Sequence, residues 1–233
     1  MAKTAARSGR EGRIETSQAV DRLAHERELL ASGLTHLAGL DEAGRGPLAG
    51  PVVAAAVMFP ADWLGENFPA ELAELNDSKQ LSEAQRAHYI AWLTSRAEVR
   101  FALASVDAAV IDRINILQAT HRAMNDALAK LSPSPAHVLV DGLRVKSLRW
   151  AQTPLVKGDA RSYSIAAASV LAKVTRDRLM REFDRQFPGY GFAEHKGYVT
   201  PAHLAAIAKL GPCPIHRRSF APLKAGQEEF VLM

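Results

Sequence analysis

Two adjacent carboxylates followed by a glycine-rich turn form the most informative segment of this sequence. Asp41 and Glu42 end an apolar run, and Gly44-Arg45-Gly46 follows almost at once. An acidic pair at a strand end can hold a hard divalent cation, because such ions prefer carboxylate oxygens. An arginine between glycines can present its guanidinium and the neighbouring backbone amides to a phosphate. Together these features indicate metal-assisted chemistry on a phosphodiester.

Two further carboxylates can reach the same place. Asp141 ends the apolar run 137–141 much as Asp41 ends the first, so parallel neighbouring strands would bring both to one edge of a sheet. Asp159 closes a short Lys-Gly-Asp segment and can arrive there from a loop. Four clustered carboxylates repel one another, which raises their pKa values unless cations neutralise them. Two Mg²⁺ ions about 3.5–4 Å apart are the recurring solution in phosphodiester hydrolysis.

Simpler interpretations of these residues stay open at this point. A lone aspartate at a strand end is more often a turn or cap residue, and the Gly44–Gly46 turn can be no more than a tight connection. Neighbouring residues on a regular strand point to opposite faces, so Asp41 and Glu42 share a site only if the strand ends or twists there. The turn lacks the Lys-Ser/Thr of a P-loop, and the eight histidines show no zinc spacing.

The elements that must position these residues follow an α/β order. Apolar runs predict strands over 36–41, 52–59, 99–106, 137–141 and 153–157. The first three can form an antiparallel meander, and the last two would then join this sheet by helical crossovers. Apolar spacing, capping residues and alanine content predict helices over 17–32, 82–96, 108–131, 161–187 and 201–210, with a loop over 60–80.

Charge and composition limit the class of protein. Residues 1–141 contain 14 Lys or Arg against 18 Asp or Glu, whereas residues 142–233 contain 15 against 7. A basic half beside the acidic motif suits a bound polyanion, although a solvated basic face explains the charge equally well. No apolar run approaches the roughly 20 residues that span a bilayer. The single cysteine, Cys213, is expected to pack in a reducing compartment, and we expect a cytoplasmic protein.

Seven motifs resemble, in order, those of the bacterial ribonuclease HII family. They lie at 39–52, 76–79, 140–142, 157–159, 166–177, 195–198 and 215–222. The resemblance implies a ribonuclease H-like fold over residues 36–222, with a mixed five-stranded sheet flanked by helices and a C-terminal helical region. Residues 1–35 are then an N-terminal extension, partly disordered or helical, and residues 223–233 are a C-terminal tail.

The resemblance also implies an activity. The expected enzyme hydrolyses the RNA strand of RNA–DNA hybrids and incises duplex DNA on the 5′ side of embedded ribonucleotides, leaving 3′-hydroxyl and 5′-phosphate ends. Two divalent ions, Mg²⁺ or Mn²⁺, would activate the attacking water. The expected partners are RNA–DNA hybrids and duplex DNA containing ribonucleotides, with no membrane and a monomeric enzyme. Ribonucleotide removal and RNA primer removal would be its roles.

The family's metal-binding carboxylates fall on four positions of this sequence. These catalytic and metal-binding residues are Asp41, Glu42, Asp141 and Asp159. Asp177 is a rival for the fourth position, but it lies between Arg176 and Arg178 and is expected to be paired on a helix. Asp159 is preferred because it belongs to the Lys-Gly-Asp motif.

The family's substrate contacts also have counterparts here. The backbone of Gly44, Arg45 and Gly46 would read the ribose 2′-hydroxyl, which alone separates RNA from DNA at the site. Tyr198 would stack on the sugar of the following deoxynucleotide. The expected phosphate contacts are Lys79, Ser169 and Lys173.

Two other functional classes compete with this expectation. Another two-metal nuclease on the same fold, such as a resolvase or transposase-like enzyme, would cleave all-DNA substrates. A non-catalytic hybrid-binding module would gain nothing from four carboxylates facing phosphates, so the intact acidic set argues against it.

Overall fold

A computed structural model of the protein describes residues 21–224. Five strands form one sheet: β1 (Leu37–Ala43), β2 (Val52–Met58), β3 (Arg100–Val106), β4 (His137–Asp141) and β5 (Gln152–Leu155). The helices are α1 (Ala24–Ala31), α2 (Ala61–Gly65), α3 (Glu83–Ser95), α4 (Ala108–Ala129), α5 (Tyr163–Gln186), α6 (Phe192–His195) and α7 (Pro201–Leu210). Two 3₁₀ turns lie at Ala70–Leu72 and Gly158–Ala160. Among these residues, no helix is long and apolar enough to cross a membrane.

The sheet is mixed, with strand order β3-β2-β1-β4-β5. The first three strands form an antiparallel meander, and β4 lies parallel to both β1 and β5. This arrangement confirms the predicted α/β fold and the predicted neighbourhood of β1 and β4. Parallel neighbours need a long crossover, and the chain between β3 and β4 supplies it through α4.

Alternation along the strands buries both faces of the sheet. On one face Ala38, Leu40 and Ala54 pack in a core that includes buried residues of α4. On the other face Leu37 and Val57 pack in a core that includes the alanines of α5. A Cβ at Gly39 would lie 2.1 Å from the backbone of Ser164, so this glycine lets the start of α5 approach β1 closely.

Side-chain caps set the starts of the three longest helices, and one of these caps was predicted from the sequence. Ser82 and Gln85 form the predicted capping box of α3. Asp107 accepts a hydrogen bond from the Val110 amide at the start of α4, and Ser162 accepts one from the Ile165 amide at the start of α5. These caps satisfy amides that a helix leaves unpaired at its first turn.

Several details of the predicted layout differ from the structure. The 60–80 segment contains α2 and a 3₁₀ turn rather than loop alone. The connection from β4 to β5 runs through 142–151 as turns and extended chain rather than through a helix. The Gln152 side chain supports this connection, since it accepts from the Val145 amide and donates to the Val145 carbonyl. Helix α4 is also interrupted at Asn115, where φ is 66° and the Asn115 side chain caps the Gln118 amide.

The segment before β1 packs against the rest of the molecule. Leu23 is buried in the core on the α5 side. Glu26 is fully buried and accepts hydrogen bonds from the Ser162 hydroxyl and the Ser164 amide at the start of α5. Residues 17–20 of the predicted first helix lie outside the described residues. The described part of the predicted 1–35 extension, residues 21–35, contains α1, which contacts the start of α5 through Glu26.

Candidate active site

The register of β1 and β4 brings Asp41 and Asp141 together. The parallel pairing of β1 with β4 ends at Leu40 and Val140, so Asp41 and Asp141 follow at adjacent strand ends. Strand β1 does not end at residue 41 as predicted, because its antiparallel pairing with β2 continues to Ala43. Asp41 and Glu42 nevertheless face the same cavity, where β1 leaves the parallel part of the sheet.

The cavity has a volume of about 390 Å³, and all eleven residues expected from the sequence line it. These are the four carboxylates and the seven substrate-binding candidates: Asp41, Glu42, Asp141, Asp159, Gly44, Arg45, Gly46, Lys79, Ser169, Lys173 and Tyr198. Ala43, Ser78 and Arg176 line it as well. The resemblance therefore selected residues from six separate segments that converge on one place.

Burial and mutual repulsion act on the carboxylates. Burial raises the pKa of Asp41 well above its usual range, and the charges of Glu42 and Asp141 raise it further. Burial also raises the pKa of Glu42, although Arg45 opposes this shift. The pKa of Asp159 rises to about 6, first through burial and then through the charge of Asp141. These groups resist ionising together, and a bound cation would remove that resistance.

The donor set fits a hard divalent cation in chemistry, because it consists of carboxylate oxygens at one edge of the sheet. Within residues 21–224, however, no group of three or more His, Cys, Asp or Glu side chains is arranged to hold a metal ion. Glu42 instead pairs with Arg45 at 3.3 Å, and Asp141 accepts a hydrogen bond of 2.7 Å from the Gly158 amide. Metal binding by Glu42 and Asp141 would therefore require their side chains to turn from these partners.

Asp159 and its rival Asp177 have different surroundings. Asp159 lies in the 3₁₀ turn beside Asp141, and Arg22 donates a hydrogen bond of 2.7 Å to the Asp159 carbonyl. Asp177 lies on α5, where it pairs with Lys173 at 2.8 Å. Only Asp159 of the two lines the cavity. This placement favours Asp159 as the fourth carboxylate.

The three expected phosphate contacts differ in how free their side chains are. Lys79 is exposed at the cavity edge. Ser169 is buried, and its hydroxyl lies 2.9 Å from the Ser78 hydroxyl. Ser169 also partly offsets the raised pKa of Asp41. Lys173 is engaged by Asp177. Lys79 is thus the best placed of the three for a phosphate, whereas Ser169 acts on the ionisation of Asp41.

A buried histidine chain supports the turn that carries Tyr198. The Cys213 amide donates to Nδ1 of His216, whose Nε2 lies 3.1 Å from Nε2 of His203. Nδ1 of His203 lies 2.9 Å from the Tyr198 carbonyl, which can only accept. Burial lowers the pKa of His203, and lowers that of His216 to about 4. Both rings are therefore neutral at pH 7, which fixes one tautomer along the whole chain. Cys213 packs in this cluster as a buried free thiol.

Sequence reasoning missed Ser78 and Arg176 as cavity residues. Ser78 directly precedes Lys79 in the 76–79 motif, so the assignment of Lys79 to the site could have indicated Ser78 as well. Arg176 lies in an Arg-Asp-Arg run on α5, a pattern that predicts exposed charges, yet its side chain is 1% exposed. Tyr198, in contrast, is 45% exposed and presents its ring beside the Gly44–Gly46 turn.

Comparison with known proteins bears on the classification of the whole chain. The family model described as Ribonuclease HII matches residues 38–223. Ribonuclease HII of Geobacter metallireducens is 54% identical over 193 residues, covering 83% of this chain and 87% of its own. The crystal structure of ribonuclease H2 from Pyrococcus horikoshii superposes with a TM-score of 0.68 at 26% identity, covering 82% of this chain and 97% of that one.

A more distant structure shares the fold. Bst-RNase HIII in complex with Mn²⁺ superposes with a TM-score of 0.59 at 21% identity, over 84% of this chain and 71% of that one. The match of the family model to most of the chain and the 54% identity to a curated relative both bear on classification. They show that the chain belongs to the ribonuclease HII family, whose members are metal-dependent endoribonucleases that act on RNA–DNA hybrids.

Proposed function

We propose that this enzyme hydrolyses the RNA strand of RNA–DNA hybrids and also incises duplex DNA on the 5′ side of single embedded ribonucleotides. The products would carry 3′-hydroxyl and 5′-phosphate ends. One observation carries the proposal: four carboxylates, a turn with backbone amides at the cavity and an exposed tyrosine line the same cavity. The carboxylates supply a place for cations, and the turn and the tyrosine supply a place for the sugar at the cleavage point.

Two divalent ions are part of the proposal, held by Asp41, Glu42, Asp141 and Asp159. When bound, such ions activate water and stabilise the leaving oxygen in phosphodiester hydrolysis. Mg²⁺ and Mn²⁺ both suit the oxygen donors, and the Mn²⁺ in Bst-RNase HIII shows that a protein of this fold takes the second. The chain's own contribution is to orient Asp141 through the Gly158 amide and, through Ser169, to favour the ionised form of Asp41.

The remaining lining residues suit recognition of the nucleic acid. The Gly44–Gly46 backbone would contact the ribose 2′-hydroxyl, and Tyr198 would stack on the sugar of the next deoxynucleotide. Lys79 would bind a phosphate of the cleaved strand, with Lys173 and Ser169 nearby. An uncharged hydroxyl is best read by fixed backbone amides, because their positions cost no side-chain entropy on binding.

The cellular setting follows from the substrate. Ribonucleotide excision repair and removal of RNA primers during DNA replication both present such junctions in the cytoplasm of a bacterium. The relatives at 50–54% identity are bacterial proteins. We propose a cytoplasmic, monomeric enzyme in these two roles.

A panel of three labelled duplexes tests the substrate class. The duplexes share one sequence and contain a full RNA strand, one ribonucleotide in DNA, or DNA alone. We expect cleavage of the first two and none of the third, with Mn²⁺ present. Cleavage of the all-DNA duplex would indicate a general nuclease instead. Tight binding of all hybrids without cleavage, with either metal, would indicate a binding module.

A further inference from the structure

Two fully buried arginines lie beneath the turn that lines the cavity. Arg176 is 1% exposed and Arg217 is 0% exposed. Neither forms an ion pair with a carboxylate within residues 21–224. A buried charge without a counter-charge is costly unless its hydrogen bonds are satisfied. Both guanidiniums are satisfied by backbone carbonyls instead.

The carbonyls that Arg217 binds belong to the turn itself. Its Nη2 donates to the Gly44 carbonyl at 2.6 Å, and its Nη1 donates to the Arg45 carbonyl at 3.0 Å. Its Nε and Nη2 both donate to the Gly50 carbonyl, at 3.0 and 2.8 Å. One planar side chain therefore fixes the directions of three peptide groups, which a lysine could not do with the same geometry.

The direction of a carbonyl also fixes the direction of the amide in the same peptide. The 44–45 and 45–46 peptides are trans, since the cis bonds of the described chain precede Pro133 and Pro222. In a trans peptide the N–H points opposite to the C=O. With the Gly44 and Arg45 carbonyls turned inward to Arg217, the Arg45 and Gly46 amides point outward, on the side of the cavity that these residues line.

The two outward amides are available to a ligand. Neither the Arg45 nor the Gly46 amide donates to any acceptor in the described part of the chain, 21–224. Backbone amides left without partners at a concave surface are suited to bind an oxygen of a ligand.

Arg176 supports the turn from a second side. It donates to the carbonyls of Pro51, Ala49 and Lys196, and so ties the segment after the turn to the segment before Tyr198. A Cβ at Gly44 would lie 2.1 Å from Nε of Arg176, so this position accepts only glycine while the arginine is present. Burial lowers the pKa of Arg217 to about 9 and that of Arg176 to about 10, so both stay charged at pH 7.

We propose that Arg217 is a positioning residue for ribose recognition: by holding the Gly44 and Arg45 carbonyls, it aims the Arg45 and Gly46 amides at the 2′-hydroxyl of the substrate. This inference rests on the proposed function. Arg217 does not touch the substrate. It holds two peptide groups in one orientation before the substrate binds. Binding therefore does not have to restrict these peptide groups, and the conformational entropy lost on binding is smaller.

The variant Arg217→Lys tests the proposal, because lysine keeps the charge but loses the planar fork. Binding is measured in EDTA with two fluorescent DNA duplexes that differ only by one 2′-hydroxyl. We expect the wild-type preference for the ribonucleotide duplex to fall by roughly tenfold, the value of about one hydrogen bond. Affinity for the all-DNA duplex should change less than twofold.

Met124→Ala provides the matched control for lost stability. Met124 is buried in the core on the α4 side, on the opposite side of the sheet from α5, and does not line the cavity. This variant should melt at a lower temperature but keep the wild-type ribonucleotide preference. A folded Arg217→Lys protein that also keeps this preference would overturn the proposal and leave the proposed function intact. A wild-type protein with no preference in either binding or cleavage would overturn both.

Amide chemical shifts of the wild-type protein give an answer even if Arg217→Lys does not fold. The Arg45 and Gly46 amide resonances should move with the ribonucleotide duplex and move much less with the matched all-DNA duplex. Equal movement with both duplexes, or none with either, would overturn the proposal.

Discussion

Asp41 is the residue on which the proposed chemistry depends most. It is the most deeply buried of the four carboxylates, and the charges of both Glu42 and Asp141 raise its pKa. Asp41→Asn keeps the shape of the side chain but removes a charge that a cation requires. We expect cleavage of a hybrid to fall by about 10³-fold or more, with hybrid binding in EDTA largely retained. Retained cleavage would contradict the assignment of the metal site.

The choice between Asp159 and Asp177 leads to a second prediction. Asp159→Asn should reduce cleavage by orders of magnitude, because Asp159 shares the cavity with Asp141. Asp177→Asn should cost much less, because Asp177 pairs with Lys173 on α5 and does not line the cavity. Cleavage rates over a range of Mn²⁺ concentrations measure both variants. A larger loss from Asp177→Asn would make Asp177 the fourth ligand.

Tyr198 has a role in the account that is separate from metal binding. Its exposed ring lies beside the Gly44–Gly46 turn and can stack on a sugar there. Tyr198→Ala should therefore weaken the preference for an RNA–DNA junction, while Mn²⁺ affinity stays unchanged. Tyr198→Phe is the control, because it keeps the ring and should keep the preference. If the wild type cleaves junction and non-junction sites equally, this role is wrong.

At the scale of elements, the site depends on where strands stop pairing. β1 and β4 pair only as far as Leu40 and Val140, which releases Asp41 and Asp141 at the same level. The short turn after β5 then brings Asp159 beside them, and its Gly158 amide holds Asp141 in place. The edge of the parallel strands is thus the common origin of the acidic set, as is usual for ligand sites in α/β sheets.

The elements after α5 have an electrostatic property of their own. His203 and His216 are buried and neutral, and their hydrogen bonds lead to the Tyr198 carbonyl. The pKa of His216 is about 4 in the folded protein, below the ordinary value near 6.5 in the unfolded chain. The unfolded chain therefore binds the proton more readily than the folded protein. The neutral His216 thus contributes to the stability of the folded protein above pH 6.5, and this contribution is lost as the pH falls toward 4.

Replacement of His216 tests whether the stability of the protein falls with pH in this way. The free energy of unfolding of the wild type should decrease more steeply between pH 6.5 and 4 than that of His216→Gln, whose side chain does not titrate. Denaturant unfolding across this range measures both proteins. Parallel curves for the two proteins would show that His216 is not held neutral.

At the scale of the whole molecule, the sequence predicted the overall architecture better than it predicted the helix break in α4 and the burial of Arg217. The apolar runs and the positions of Asp41 and Asp141 predicted strands with both carboxylates at one edge of a sheet, and the family resemblance implied that this sheet is mixed and five-stranded. The structure confirms the sheet. The break at Asn115 was not predictable, because the apolar spacing of α4 continues across it. The burial of Arg217 was not predictable either, since an Arg-Arg pair normally indicates an exposed basic surface.

The metal-free molecule should show a pH dependence opposite to that of the histidines. Burial raises the pKa values of Asp41, Glu42 and Asp159, the last to about 6, so the folded state binds these protons more tightly than the unfolded chain. The contribution of Asp159 to stability is present below about pH 4 and is lost as the pH rises through about 6, and the raised pKa values of Asp41 and Glu42 act in the same direction. In EDTA, Asp159→Asn should lose less stability than the wild type between pH 4 and 7. Added Mn²⁺ should raise the melting temperature of the wild type more than that of the variant.

Incision of a DNA duplex containing one ribonucleotide, with the cut position and end groups mapped, tests the central claim most directly. With Mg²⁺ or Mn²⁺, we predict a single cut on the 5′ side of the ribonucleotide, with 3′-hydroxyl and 5′-phosphate ends, and no cut in excess EDTA. A cut on the 3′ side, a 2′,3′-cyclic phosphate end or incision that persists in EDTA would contradict metal-assisted attack at this carboxylate site.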